Sequence, residues 1–150
     1  MFGVKRNFTI VASQFNAEYV QGLVDHATNE LRKLAPNTGV TLHEVPGAFE
    51  IPIVVREVAL QKQTDAIIAI GVILKGKTNH AENLSRSVTD ALQRIAIEHG
   101  VPVINVVLSF SSQTQARERC LEEELNRGTA AAHAAIEMSN LMAKLRAHAQ

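Results

Sequence analysis

Thr64–His80, TDAIIAIGVILKGKTNH, is the stretch that decides the fold. Thr64–Leu74 holds the third strand, and from Ala66 to Leu74 it is apolar on both parities. A strand with one wet face alternates, whereas a strand covered on both faces does not, so this run predicts an interior strand of a parallel sheet with helices above and below. The next five residues, Lys75–Asn79, turn abruptly polar and predict a loop. A helix is expected from about His80 to His99, with Leu84, Val88, Leu92 and Ile95 on one face and Gly100 as its stop.

Working outward from that unit, the same alternation of types recurs. Phe8–Ser13 is a short β-branched run and Gly39–Val45 an alternating one, and both read as strands. Between them Val20, Leu23, Val24, Ala27, Leu31 and Leu34 recur at helical spacing, predicting a helix over Ala17–Leu34 with Asn16 as its N-cap. Pro46-Gly47 is a turn, and a helix follows over about Phe49–Lys62 with Pro52 in its first turn. Val101–Ser109 is the fourth strand, and helices are expected over about Ser112–Leu125 and Thr129–Arg146. The order β-α-β-α-β-α-β-α-α predicts one α/β domain over residues 1–150, with a parallel sheet and helices on both faces.

Composition narrows the function. With 150 residues and 46% hydrophobic content the chain can bury a real core. Fifteen basic residues balance fifteen acidic ones, so nothing recommends nucleic acid. Met1–Asn7 is too short and polar for a signal peptide, and the longest apolar runs are too short to span a bilayer. Cys120 is the only cysteine, which excludes an internal disulfide. A cytoplasmic protein without membrane partners is the expectation.

In open parallel sheets ligands bind beyond the carboxyl ends of the strands, so the loops after the four strands hold the candidate chemistry. Gly76, Lys77 and Thr78 precede a helix start and suit an anion; His80, beside them, suits proton transfer near neutral pH. The same residues also fit a capping loop with a surface histidine. Phe49 and Glu50 follow a turn, where they could stack on a ring and accept from hydroxyls, or simply serve as a core aromatic and a helix-start acid. Phe15 is either a stacking wall or a hydrophobic staple. Arg117 and Arg119 are phosphate clamps or part of a solvated face. The histidines show no metal-ligand spacing with one another or with Cys120, and GxGxxG, Walker and G-x-S-x-G motifs are missing.

Taken in order, SQFN (Ser13–Asn16), VPGAFEIP (Val45–Pro52), GVILKGKTNH (Gly71–His80), QARER (Gln115–Arg119) and NRG…AAIEMSNL (Asn126–Leu141) resemble the lumazine synthase family over nearly the whole chain. The resemblance implies a flavodoxin-like αβα sandwich on a four-stranded parallel sheet. It implies the penultimate step of riboflavin biosynthesis, in which 5-amino-6-(D-ribitylamino)uracil and 3,4-dihydroxy-2-butanone 4-phosphate condense to 6,7-dimethyl-8-ribityllumazine. No metal or organic cofactor is used in the family. Phe15 would stack on the pyrimidine; Ala48, Phe49 and Glu50 would hold the ribityl chain; Val72, Ile73 and Leu74 would line the ring pocket. Lys77 and Thr78 would bind the butanone phosphate, which Arg119 of a neighbouring subunit would clamp, and His80 would shuttle protons. The family's unit is a pentamer with shared sites, so a homo-oligomer is implied; the connection CLEEELN (Cys120–Asn126) lacks the glycines common at that kink, which favours a free pentamer or decamer over a shell.

The chain departs from the family pattern at four places. Ala81, Glu82 and Asn83 follow His80 where an aromatic, an acid and an aromatic are usual, and Asn105 stands where an aromatic often closes the pyrimidine pocket. Lys75 and Arg127 exchange the usual arginine and lysine. The expected consequence is an altered ring pocket with phosphate and proton chemistry intact. The rival is a non-catalytic flavin-binding or shell-forming paralogue, against which His80 and Arg119 weigh, since packing needs neither.

Overall fold

The structure, a computed structural model, describes residues 5–76 and 79–149. Four strands, β1 (Asn7–Ser13), β2 (Gly39–Val45), β3 (Ala66–Leu74) and β4 (Val103–Phe110), form one sheet in the order β2-β1-β3-β4, every pair parallel. Five helices flank it: α1 (Ala17–Leu34), α2 (Ile51–Gln61), α3 (His80–His99), α4 (Gln113–Cys120) and α5 (Arg127–His148). This is the doubly wound, flavodoxin-like order.

The parity of each strand decides which layer it feeds. Even-numbered Phe8, Ile10, Ile68, Ile70 and Val106 pack with α1, α4 and α5. Odd-numbered Val11, Ile67, Ala69, Ile73 and Val107 pack with α2 and α3. The central strand is therefore buried on both sides, as its unbroken apolar run requires. On the first face α5 buries only small residues, Gly128, Ala131, Ala132, Ala135 and Ser139, which lets it lie close against α1. A Cβ on Gly128 would run into the Leu23 carbonyl.

Several boundaries differ from the sequence expectation, each for a local reason. The helix expected from Phe49 starts instead with a 3-10 turn, Ala48–Glu50, before α2. Pro52 has no N–H for the Ala48 carbonyl, so the Ile51 N–H takes it three residues on and tightens the turn. The helix expected to run on to Leu125 stops at Cys120, because its end docks across α1: the Cys120 carbonyl abuts Gly22, and His26 Nε2 donates to the Leu121 carbonyl at 3.2 Å. α5 begins two residues early, capped by Asn126, whose carboxamide oxygen accepts from Gly128 N–H at 2.8 Å and Thr129 N–H at 3.2 Å. Leu34 lies past the buried stripe of α1 and is exposed.

Candidate active site

Strand order reverses at β1: α1 leads out to β2 over one face, and α2 leads back to β3 over the other. The connections leaving β1 and β3 therefore diverge at the carboxyl ends of these strands and open a crevice. The ladder between β1 and β3 ends at Ala12 with Ile70, yet β3 continues to Leu74 paired only with β4. Among the described residues its edge over residues 71–74 is left without a strand partner on the crevice side.

A cavity of about 470 Å³ occupies this position. Phe15 and Asn16 enter it from the end of β1, Ala48, Phe49 and Glu50 from the 3-10 turn, and Val72, Ile73 and Leu74 from β3. His80 and Ala81, in the first turn of α3, close the remaining side with Leu84. Eight residues singled out in the sequence thus meet here, although they come from four separate segments.

The two aromatics are among the most exposed apolar side chains, Phe15 at 72% and Phe49 at 68%. A core would bury them; at a cavity rim their faces suit a flat conjugated ring. The Glu50 carboxylate folds back over Gly47, where a Cβ would lie 3.1 Å from Oε1, so that position leaves little room for a side chain. A half-buried carboxylate there accepts from ligand hydroxyls, and the His80 imidazole can give or take a proton beside them.

Lys77 and Thr78 lie outside the described residues. Asn105 and Arg119 are described and stand elsewhere. Asn105 is on the edge strand β4, where its oxygen accepts from Val107 N–H at 2.9 Å and its Nδ2 donates to Thr89 Oγ1 at 3.4 Å. Arg119 lines a different cavity, of about 210 Å³, with Ser109, Gln115 and Arg127 and no residue in common with the first. Its Nε and the Ser109 Oγ are buried and unpartnered among the described residues. That is an electropositive recess, with no carboxylate in its wall among the described residues. Arg117, by contrast, points to Glu18 of α1 at 3.8 Å in an exposed pair, the ordinary solvated arrangement.

Asn16 is the lining residue that sequence reasoning assigned differently. It stands at the N-cap position, but its side chain caps nothing; Nδ2 reaches across the crevice and donates to the Val72 carbonyl at 2.6 Å. The bond joins residues 56 apart in the chain, so helix-start rules could not find it. Ser13, Gly47, Ala81 and Leu84 also line the cavity without having been candidates, and Gly76, which the sequence offered for an anion, lines it too. All but Leu84 lie within or beside the quoted loop motifs, which was the available signal.

Among the described residues no three His, Cys, Asp or Glu side chains gather as a metal ion would need, and no helix is long and apolar enough to cross a membrane. Cys120 is fully buried beneath α1 and α5, and burial pushes its thiol up from 9.0 to about 12.

A family model described as 6,7-dimethyl-8-ribityllumazine synthase matches residues 5–143. A 6,7-dimethyl-8-ribityllumazine synthase of Nitrosospira multiformis is 38% identical over 137 residues, covering 91% of this chain and 83% of that protein. One of Paraburkholderia phymatum is 39% identical over 137 residues, covering 91% of this chain and 77% of its own.

Proposed function

The chain belongs to the 6,7-dimethyl-8-ribityllumazine synthase family, and from that premise we propose how its side chains divide the work. The enzyme forms 6,7-dimethyl-8-ribityllumazine in riboflavin biosynthesis, from 5-amino-6-(D-ribitylamino)uracil and 3,4-dihydroxy-2-butanone 4-phosphate.

The crevice cavity is the pyrimidine site. Phe15 stacks on the ring, Ile73 lines the pocket, and the crevice-side main chain of Val72 and Leu74 offers the ring's polar atoms the donors and acceptors that the Asn16–Val72 bond leaves over. Glu50 accepts from ribityl hydroxyls, with Ala48 and Phe49 flanking the chain. The observation that carries this reading is the convergence of exposed Phe15 and Phe49, Glu50 and His80 on one apolar cavity at the reversal point of the sheet.

The chemistry needs an imine, departure of phosphate, and ring closure with loss of water. Each step moves a proton near neutral pH, which is the task of His80. Phosphate departure needs fixed positive charge, supplied by Lys77, with Thr78, and by Arg119. The amine and ketone are already a reactive pair, so holding them together provides much of the rate.

Arg119 shares no cavity with His80 in its own chain, which favours a site completed by a neighbouring subunit. The exposed Ile53, Ile97, Leu141 and Leu145 give the chain apolar surface to bury in such an assembly. A ring of five subunits, with Asn105 beside the pyrimidine of its neighbour, is the arrangement we propose. The lone reduced thiol suits a cytoplasmic setting.

The test is to mix purified protein with both substrates and follow lumazine fluorescence, with His80→Ala as control. Turnover above the spontaneous rate, reduced in the variant, is expected. A folded oligomer whose rate matches the uncatalysed one would overturn the assignment of roles.

A further inference from the structure

Among the described residues two that are not glycine have a left-handed backbone, Asn16 (φ 58) and Lys62 (φ 56). Lys62 sits just past the end of α2, where that conformation closes a helix in the ordinary way. Asn16 sits at the start of α1, where the cap residue is normally extended. The left-handed turn is therefore not explained by helix initiation. What it does accomplish is to aim the Asn16 carboxamide at the Val72 carbonyl, 2.6 Å away, beyond the point where the β1–β3 ladder has ended.

The segment between Ser13 and Asn16 is held at both ends. Gln14 N–H donates to the Val45 carbonyl at 2.8 Å on the β2 side, and Asn16 Nδ2 donates to Val72 on the β3 side. Phe15 lies between the two anchors and, at 72% exposure, has little packing of its own to fix it. Its pose over the cavity depends on the backbone either side.

We infer that Asn16 is a positioning residue for the pyrimidine substrate: its left-handed turn and its bond to Val72 hold Phe15 over the crevice and fix the β3 main-chain edge opposite. Asparagine is suited to both tasks, since it tolerates that backbone region better than other side chains and carries an amide donor short enough for the crossing. The inference rests on the crevice being the pyrimidine site. Lys77, Thr78 and Arg119 act on the other substrate, so Asn16 should affect one substrate and not both.

Three variants separate the parts. Asn16→Gly keeps the backbone freedom and deletes the donor. Asn16→Asp keeps the shape and sets an acceptor against the Val72 carbonyl. Asn16→Ala loses donor and backbone tolerance together. Calorimetric binding of 5-amino-6-(D-ribitylamino)uracil alone, the KM of each substrate, and kcat are measured beside thermal melting. Asn16→Gly should melt within about 4 °C of the wild type, the scale set by loss of one part-buried hydrogen bond, yet bind the pyrimidine about tenfold more weakly because Phe15 is no longer held, with its KM raised to match. The KM of the butanone phosphate should stay within about twofold, since no phosphate contact is touched. Asn16→Asp should be at least as weak as Asn16→Gly, and Asn16→Ala weaker than Asn16→Gly. Wild-type pyrimidine affinity in Asn16→Gly, or an equal rise in both KM values, would overturn the inference while leaving the site reading in place. If the wild type turns over and Phe15→Ala binds the pyrimidine as tightly as the wild type does, the site reading falls and this inference with it.

Discussion

His80→Ala and Arg119→Ala, each deficient alone, should restore one another when their subunits share an assembly. Their side chains line separate cavities with no lining residue in common, and the proposed site joins them across a subunit boundary. Loss of a general acid–base group removes about 10²- to 10⁴-fold of rate. Loss of a charged hydrogen bond to phosphate removes about 1.5–3 kcal/mol, or roughly 10- to 150-fold. In a head-to-tail ring assembled at random from equal amounts, a site is intact when one subunit carries His80 and its neighbour carries Arg119. Each condition is met half the time, so about a quarter of the sites regain both groups. Co-expression with two affinity tags and tandem purification gives the mixed oligomer, and lumazine fluorescence at saturating substrate gives its rate. About a quarter of wild-type activity would stand well above the sum of the parents. If mixed assemblies of wild-type size show only that sum, His80 and Arg119 do not complete one another across a subunit boundary, and the shared-site argument fails.

Phe15→Ala should leave thermal stability unchanged, because the ring is mostly exposed, while raising the KM of the pyrimidine substrate; base–aromatic stacking of about 1–3 kcal/mol predicts roughly a 5- to 150-fold increase. An unchanged KM would mean that the ring does not stack there. Gly22→Ala would set its Cβ 2.5 Å from the Cys120 carbonyl oxygen and 2.6 Å from Leu121 Cδ2. Backbone must then shift where α1 meets α4, so calorimetry should show a loss of about 1–3 kcal/mol, and a gain in melting temperature would contradict the close contact. Cys120 gives a pH dependence: its folded thiol titrates near 12 and the unfolded one near 9.0, so the unfolded chain releases its proton first and stability falls as pH rises through that window. Urea unfolding at about pH 8 and about pH 10.5 should show this decline in the wild type and a shallower one in Cys120→Ala; parallel slopes would refute it.

Much of the architecture was legible because hydrophobic burial imposes local periods on the chain. The double-parity apolar run of Ala66–Leu74 can only be satisfied inside a covered sheet, and the 3.6-residue recurrence from Val20 to Leu31 only by a helix lying on one. The loop motifs likewise carried Phe15, Phe49, Glu50 and His80, since residues that a core does not need stand out at strand ends. Boundaries set by distant partners were not legible. Nothing between Ser112 and Leu125 announces that a helix stops at Cys120, because the cause is Gly22 and His26 on another element.

By itself, then, the sequence determined the element types, the layered class and the residue kinds available for chemistry, all of which follow from local pattern. Only the tertiary structure decided their juxtaposition. The strand order sets β1 beside β3, which brings three loops and the end of β3 to one cavity and leaves the edge of Val72–Leu74 without a strand partner toward it among the described residues. It sets Arg119 and His80 in different cavities and turns Asn16 from a helix cap into a tie across the crevice. Contacts of that kind join residues far apart in the chain, and no periodicity records them, because they exist only once the sheet has brought its strands together.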